Sequence, residues 1–240
     1  MSFCGVRAVV FDAVGTLIFP DPPAPVVYTQ VGARYGSKLD ANSIRPRFEI
    51  AFRAEDEIDR RQDWRTSEER ERERWRHIVA RVLNDVADPE ACFQALFDHF
   101  SKPEAWRCDP STRTVINALV DSGVMVGLAS NYDSRLRSVL AGKPDLAPLQ
   151  TVCISSEIGW RKPSPEFFGA VCRSVGMLPA NILFVGDDFE NDMEGALKAG
   201  MRGVWLEPEN SRPIPKGEWG NRVQRIQQLR DLLPLVNHGA

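Results

Sequence analysis

No apolar run in this sequence approaches the roughly 20 residues that cross a bilayer, and the first such run is broken by Asp12 and follows no basic leader. Neither a transmembrane helix nor a signal peptide is therefore expected. Positive charge is not in excess: 30 lysines and arginines stand against 33 acidic residues, a net charge of −3, which argues against nucleic acid and an electrostatic membrane anchor as partners. The five cysteines, Cys4, Cys92, Cys108, Cys153 and Cys172, include no CxxC pair and no histidine at metal-binding spacing. They exclude a thiolate zinc site and read as core thiols of a reducing compartment, so a cytoplasmic protein is expected. No internal repeat or low-complexity segment is present, which excludes a solenoid. What remains is a chain of 240 residues, 43% hydrophobic and 26% charged, long enough to bury a full core in one large domain or in one domain with an insertion.

The stretch "VVFDAVGTLIFP", Val9 to Pro20, opens the pattern. Residues Ala8 to Asp12 read as a short buried strand, continuous, β-branched and followed by a glycine turn. From Pro25 to about Ala105 the periodicity is helical and the charge density high, and four helices in a row without a strand signal indicate an insertion. Strand and helix then alternate: Val124 to Asn131, Thr151 to Glu157, Ile182 to Asp188 and Arg202 to Glu207 each follow a helix. Such alternation predicts an α/β fold, a Rossmann-like parallel sheet with helices on both faces. The core is expected over residues 1–20 and 108–240, with an α-helical cap over 21–107. "PENSRPIPKGEWG" reads as a surface loop, and Asn221 to Leu233 as a last helix.

In a parallel sheet of this kind ligands bind beyond the carboxyl ends of the strands. The residues placed there are Asp12, the hydroxyl–amide pair Ser130 and Asn131, Lys162 in "GWRKPSPEFF", and Asp187, Asp188 and Asp192 in "GDDFENDMEGA". Four carboxylates in one small site repel one another and resist burial. A hard cation resolves the conflict, and Mg²⁺ suits one or two carboxylates, a backbone carbonyl and a phosphate oxygen. Lys162, Ser130 and Asn131 then become candidates for holding phosphate, with Asp12 as a nucleophile on phosphorus. Taken singly, each of these residues has an ordinary reading as a turn former or a helix cap. It is the ordered set that carries the chemistry.

The segments "VVFDAVGTL", "GLASN", "RKPSPEFF" and "FVGDDFENDMEGALKAGM" resemble, in order and spacing, the four motifs of the haloacid dehalogenase superfamily, and the helical insert resembles its α-helical cap. The resemblance implies Asp12 as nucleophile, Ser130 and Lys162 as phosphate holders, and Asp187 as metal ligand. It also implies support of the metal by Asp188 and Asp192 and by the backbone carbonyl of Val14. The expected activity is that of a Mg²⁺-dependent phosphatase acting on a small phosphorylated molecule through an aspartyl-phosphate.

One position departs from that pattern. Phosphatases of the superfamily usually carry a second Asp two residues after the nucleophile, as general acid and base; here Val14 stands there and exchanges no proton. Three readings follow: a phosphatase whose leaving group needs little protonation or whose acid comes from elsewhere, with Asp21 and His77 as conceivable donors; an L-2-haloacid dehalogenase, whose halide leaves without a proton; and a catalytically weak phosphate-binding or interaction protein. Lys38 and Lys102, in an arginine-dominated cap, make a Schiff-base variant a poor fit. The run "SEERERERWRHIVAR" reads as a solvated helix face laced with i,i+4 pairs, His77 as packing or exposed, and Trp64, Trp75, Trp106 and Trp160 as core positions that border a pocket at most.

Overall fold

The computed structural model describes residues 3–209 and 222–236. Among them six parallel strands form one sheet: β1 (Ala8–Phe11), β4 (Met125–Ser130), β5 (Thr151–Ile154), β6 (Ile182–Gly186), β7 (Arg202–Leu206) and β8 (Val223–Ile226), in the order β5-β4-β1-β6-β7-β8. The two remaining strands, β2 (Ile18–Pro20) and β3 (Trp106–Cys108), pair antiparallel on either side of the helical segment. Helices α5 (Thr112–Asp121), α6 (Arg135–Ala141), α7 (Ser155–Ile158), α8 (Pro165–Val175) and α9 (Gly195–Lys198) link the parallel strands. This is the Rossmann-like α/β architecture expected from the alternation.

β1, β4 and β6 read as near-continuous apolar runs because both their faces are covered. Alternation within β1 sorts its side chains: Val9 and Phe11 join one core cluster with Leu128 and Val185, while Ala8 and Val10 join the opposite cluster with Phe184 and Phe168. Register aligns Phe11 with Leu128 on one side and with Val185 on the other, so the ends of β1, β4 and β6 fall along one edge of the sheet. Strand order reverses at β1, which makes the crevice beyond Phe11 the natural binding place.

The insert forms α1 (Ala24–Arg34), α2 (Ala41–Arg61), α3 (Glu68–Val82) and α4 (Pro89–His99). Asp40, Ser67 and Asp88 accept hydrogen bonds from the first-turn amides of Ser43, Arg70 and Ala91, so α2, α3 and α4 start where the sequence supplies a capping oxygen. Tyr28, Ile44, Ile78 and Phe93 anchor a cluster separate from the two that sandwich the sheet.

Several expectations are corrected. Asn221 to Leu233 is not a helix: β8 covers Val223–Ile226, and a 3₁₀ segment follows at Leu229–Leu235. Val223 and Ile226, three apart, fit a helix face equally well, yet as strand residues they point to opposite faces and feed both core clusters. The strand expected to reach Glu157 stops at Ile154, because Ser155 turns into α7. "SEERERERWRHIVAR" is not a solvated face: Glu71 and Arg74 are buried, and they pair with Arg161, Asp56 and Asp59 rather than along their own helix. Cys4 is exposed rather than in the core, and the cysteines are all free thiols. The loop expected in "PENSRPIPKGEWG" lies, after Pro208 and Glu209, outside the described residues. No helix among the described residues is long and apolar enough to cross a membrane.

Candidate active site

β1 delivers Asp12 at its end, 6% exposed, with its amide bonded to Val185 of β6 at 2.8 Å. The chain then coils tightly: the amides of Leu17 and Ile18 both reach back to the carbonyl of Ala13 at 2.9 Å. Gly15 carries the positive φ of 93° that this turn demands, and a Cβ there would lie 2.4 Å from Asp187 Oδ2. Only glycine permits both the conformation and the approach. Thr16, fully buried, donates its hydroxyl to Asp187 Oδ1 at 3.2 Å.

Lys162 comes from the loop between α7 and α8. Its buried ammonium donates to Asp12 Oδ1 at 2.5 Å and to Asp192 Oδ1 at 2.6 Å. Asn131 fixes the backbone beneath it: Lys162 N donates to Asn131 Oδ1 at 2.7 Å, and Asn131 Nδ2 donates to the Lys162 carbonyl at 3.1 Å. With both ends of its amide engaged, Asn131 positions Lys162. Ser130, the last residue of β4, is buried and lines the same cavity. Arg161, beside Lys162, turns away to Glu71 of α3, with Asp59 of α2 at 3.5 Å.

The third group follows β6. Asp187 has its carbonyl held by the Trp205 indole at 3.0 Å. A π-helical turn, Phe189–Glu194, then runs into α9; such turns recur at functional sites because the wider coil re-aims side chains. Asp188 caps this turn, its carboxylate accepting from Asn191 N at 3.0 Å and Asn191 Nδ2 at 2.8 Å. Asp192, buried, swings back toward Lys162. Asp12, Asp187 and Asp192 consequently each offer an oxygen within 4.8 Å of the others. Of the anticipated acids, the structure gathers these three and leaves the carboxylate of Asp188 at the rim. Val14 also lines the cavity, partly packed against the core.

Three carboxylates face one ammonium. Burial, reinforced by Asp12, pushes Asp187 up to about 7. Burial also raises Asp192 well above the ordinary carboxylate range, with Asp12 and Asp187 adding to the rise and Lys162 opposing it. For Lys162, burial opposes the charge, but Asp12 and Asp192 outweigh it and hold the ammonium. Protonation or a counter-cation relieves like charges this close, and an all-oxygen donor set with a surplus of negative charge would fit a hard divalent ion.

The cavity over this cluster has a volume of about 520 Å³ and extends into the helical insert. Trp75 and Trp106 line it; Trp64 and Trp160 border a separate surface pocket. Asp21, His77, Lys38 and Lys102 do not line it; His77 lies 3.3 Å from Glu55 instead. Gly15, Thr16 and Trp205 were not singled out as site residues. In sequence the "GT" after "FDAV" reads as a turn whose backbone amides can face a phosphate, and contact of the Thr16 side chain with an aspartate 171 positions away leaves no local signal.

The fold is α/β with an inserted helical segment, and the carboxylate–lysine cluster lies beyond the ends of its central strands. The family model for haloacid dehalogenase-like hydrolases matches residues 6–200, and the chain belongs to that family. It is 25% identical over 246 residues to haloacid dehalogenase-like hydrolase domain-containing protein 3 of Homo sapiens, covering 97% of this chain and 94% of that one. It is 30% identical over 120 residues to phosphoserine phosphatase of Thermus thermophilus, covering 48% and 45%. Among solved structures, a dehalogenase with an intermediate complex superposes with a TM-score of 0.74 at 17% identity, covering 98% of this chain and 99% of that one.

Proposed function

We propose that this hydrolase cleaves phosphate monoesters of a small molecule, with Asp12 as the nucleophile and Mg²⁺ as the counter-cation. The observation that carries the reading is the cluster of Asp12, Asp187 and Asp192 within 4.8 Å around one ammonium. The phosphoserine phosphatase among the relatives agrees with this chemistry. Asp12, Asp187 and Asp192, with the backbone carbonyl of Val14, would hold the ion, and Asp188 would act through the turn it caps. When bound, Mg²⁺ supplies charge neutralisation for the phosphoryl oxygens.

A carboxylate oxygen of Asp12 attacks phosphorus as the bond to the leaving oxygen breaks, and that oxygen departs with the electron pair. Water then attacks the phosphorus of the aspartyl-phosphate, releasing inorganic phosphate and a proton and restoring the Asp12 carboxylate. Lys162 and Ser130 hold the peripheral phosphoryl oxygens, and Asn131 keeps Lys162 in place. The insert, residues 21–107, acts as a cap that excludes water over the cavity. No proton donor stands at position 14, a role that contributes about a hundred- to ten-thousand-fold in general acid catalysis.

Val14 favours a second reading, hydrolysis of an L-2-haloacid, since halide leaves unprotonated. The surplus carboxylates oppose it, because they repel an anionic substrate that brings no cation. The test assays p-nitrophenyl phosphate, acetyl phosphate and L-2-chloropropionate, each with Mg²⁺ and with EDTA, using Asp12→Asn as the blank. Phosphate release that needs Mg²⁺ and Asp12 is the expected result. Chloride release insensitive to EDTA would establish the second reading, and silence on all three would favour a binding protein.

A further inference from the structure

The walls of the cavity differ from its floor. Six rings run in unbroken contact away from the carboxylates, Tyr132, Trp106, Phe100, Tyr28, Phe48 and Phe52, with successive centroids 4.6 to 6.2 Å apart. All six line the cavity, and Tyr132 lies two residues beyond Ser130, so the ring series begins at the phosphate end and rises into the insert. Phe48, Phe52 and Phe100 keep part of their surface open.

Charge on these walls is already matched. Arg74 pairs with Asp56 at 2.6 Å and with Asp59, Arg135 pairs with Asp133 at 2.7 Å, and Arg161 pairs with Glu71. Each arginine lining the cavity thus has a carboxylate partner. A second anionic group on a substrate would compete with these carboxylates for the arginines, even at Arg161 Nε, which holds no hydrogen bond but lies 3.5 Å from Asp59 Oδ2. Along the ring series a polyol would leave its hydroxyls against aromatic carbon, without the polar partners that buried hydroxyls require. A flat apolar ring matches the walls, through area and edge or face contacts.

Position 14 narrows the chemistry further. Without a donor two residues after Asp12, the leaving oxygen departs as an anion and takes its proton from water. A phenol, with a pKa of about 10 as in tyrosine, leaves far more readily than an alcohol, whose pKa is close to that of water at about 15.7. The cavity and the missing acid therefore select the same molecules.

We infer that the substrate is an aryl phosphate monoester, its ring seated along the aromatic wall and its phosphate at Asp12. This rests on the reading of Asp12 as a phosphoryl acceptor. Asp12 displaces the aryloxide, the P–O(aryl) bond breaks with its electron pair going to the phenolic oxygen, and water supplies the proton that makes the phenol. The second step returns Asp12 and inorganic phosphate as above.

The test measures kcat/KM for 2-naphthyl phosphate, a series of substituted phenyl phosphates, glycerol 1-phosphate, glucose 6-phosphate and acetyl phosphate in Mg²⁺. 2-Naphthyl phosphate is expected to exceed both alkyl esters by about a hundredfold or more, in line with the uncompensated acid. Within the phenyl series kcat/KM falls steeply as the phenol pKa rises, and Val14→Asp makes that fall shallower. Phe100→Ala and Trp106→Ala, at the phosphate end of the ring series, lower the ratio of naphthyl to acetyl phosphate turnover about tenfold, while Phe100→Leu lowers it less. The ratio is measured on one preparation, so partial misfolding cancels. Alkyl esters turned over within about tenfold of 2-naphthyl phosphate, or a ratio unmoved by these variants, would overturn the inference. Asp12-dependent hydrolysis of acetyl phosphate alone would overturn the aryl assignment and leave the phosphatase reading standing. Phosphate release from none of these compounds would remove both.

Discussion

Asp187→Asn keeps the shape of a buried side chain and takes one negative charge out of the carboxylate cluster. In the native fold the Asp187 carboxyl is lifted from 3.8 to about 7, chiefly by burial and then by Asp12. At about 1.36 kcal/mol per pH unit, such a rise costs the metal-free fold about 4 kcal/mol once the group is ionised. The folded state binds this proton more tightly than the unfolded chain, so stability falls as pH rises from about 4 to about 7 and levels off above. Asparagine has no such dependence and still accepts the Thr16 hydroxyl. In EDTA the variant should match the parent near pH 4 and exceed it by about 2 to 4 kcal/mol at pH 8, the lower figure allowing for readjustment of Lys162 and Asp192. Saturating Mg²⁺ should close that gap at pH 8. Ion at a thousandfold over its Kd adds about 4.1 kcal/mol to the parent, and much less to a variant that has lost a ligand. Urea unfolding at both pH values, with EDTA and with Mg²⁺, reads all four corners. A variant less stable than the parent at pH 8 in EDTA, or equal stabilisation of both by Mg²⁺, would refute this account of the cluster.

Other substitutions probe how the cluster is held. Gly15→Ala places a Cβ 2.4 Å from Asp187 Oδ2 at a φ of 93°; it should cost about 1 to 3 kcal/mol in thermal unfolding and weaken Mg²⁺ binding measured by calorimetry. Asn131→Ala frees the backbone of Lys162, and steady-state kinetics should show kcat lowered by about a hundredfold, the cost of a misplaced group, with a smaller change in KM. Glu71→Ala strips Arg161 of its near partner and leaves Asp59 at 3.5 Å. It should destabilise by about 3 kcal/mol in urea unfolding, and Glu71→Gln by less.

The sheet was legible because its central strands are short, buried on both faces and separated by amphipathic helices, as "AVVF" and "ILFVG" are. The antiparallel pair β2 and β3 was not, since three residues on each side pair across 85 intervening positions with no turn signal between them; only their contact identifies them. Asp12 and Ser130 could be placed at strand ends from alternation, whereas Lys162, beyond α7 rather than at the end of β5, was legible over Arg161 only through the resemblance. "GDDFEND" offered three aspartates to one site, and the π-helical turn decided between them: it carries Asp192 inward and leaves Asp188 as a cap. The buried ionic contacts of α2 and α3 with Arg161 were illegible for a different reason. Glu and Arg at helical spacing pair equally well along one helix in water and across a packed interface, and only burial distinguishes the two.

The central claim is that Asp12 accepts a phosphoryl group. Acid quenching within one turnover of 2-naphthyl phosphate in Mg²⁺, followed by mass spectrometry of the peptide containing Asp12, tests it directly. The account predicts a phosphoryl group on Asp12 that hydroxylamine removes and that Asp12→Asn never acquires. Naphthol released in a burst while Asp12 stays unmodified would contradict it.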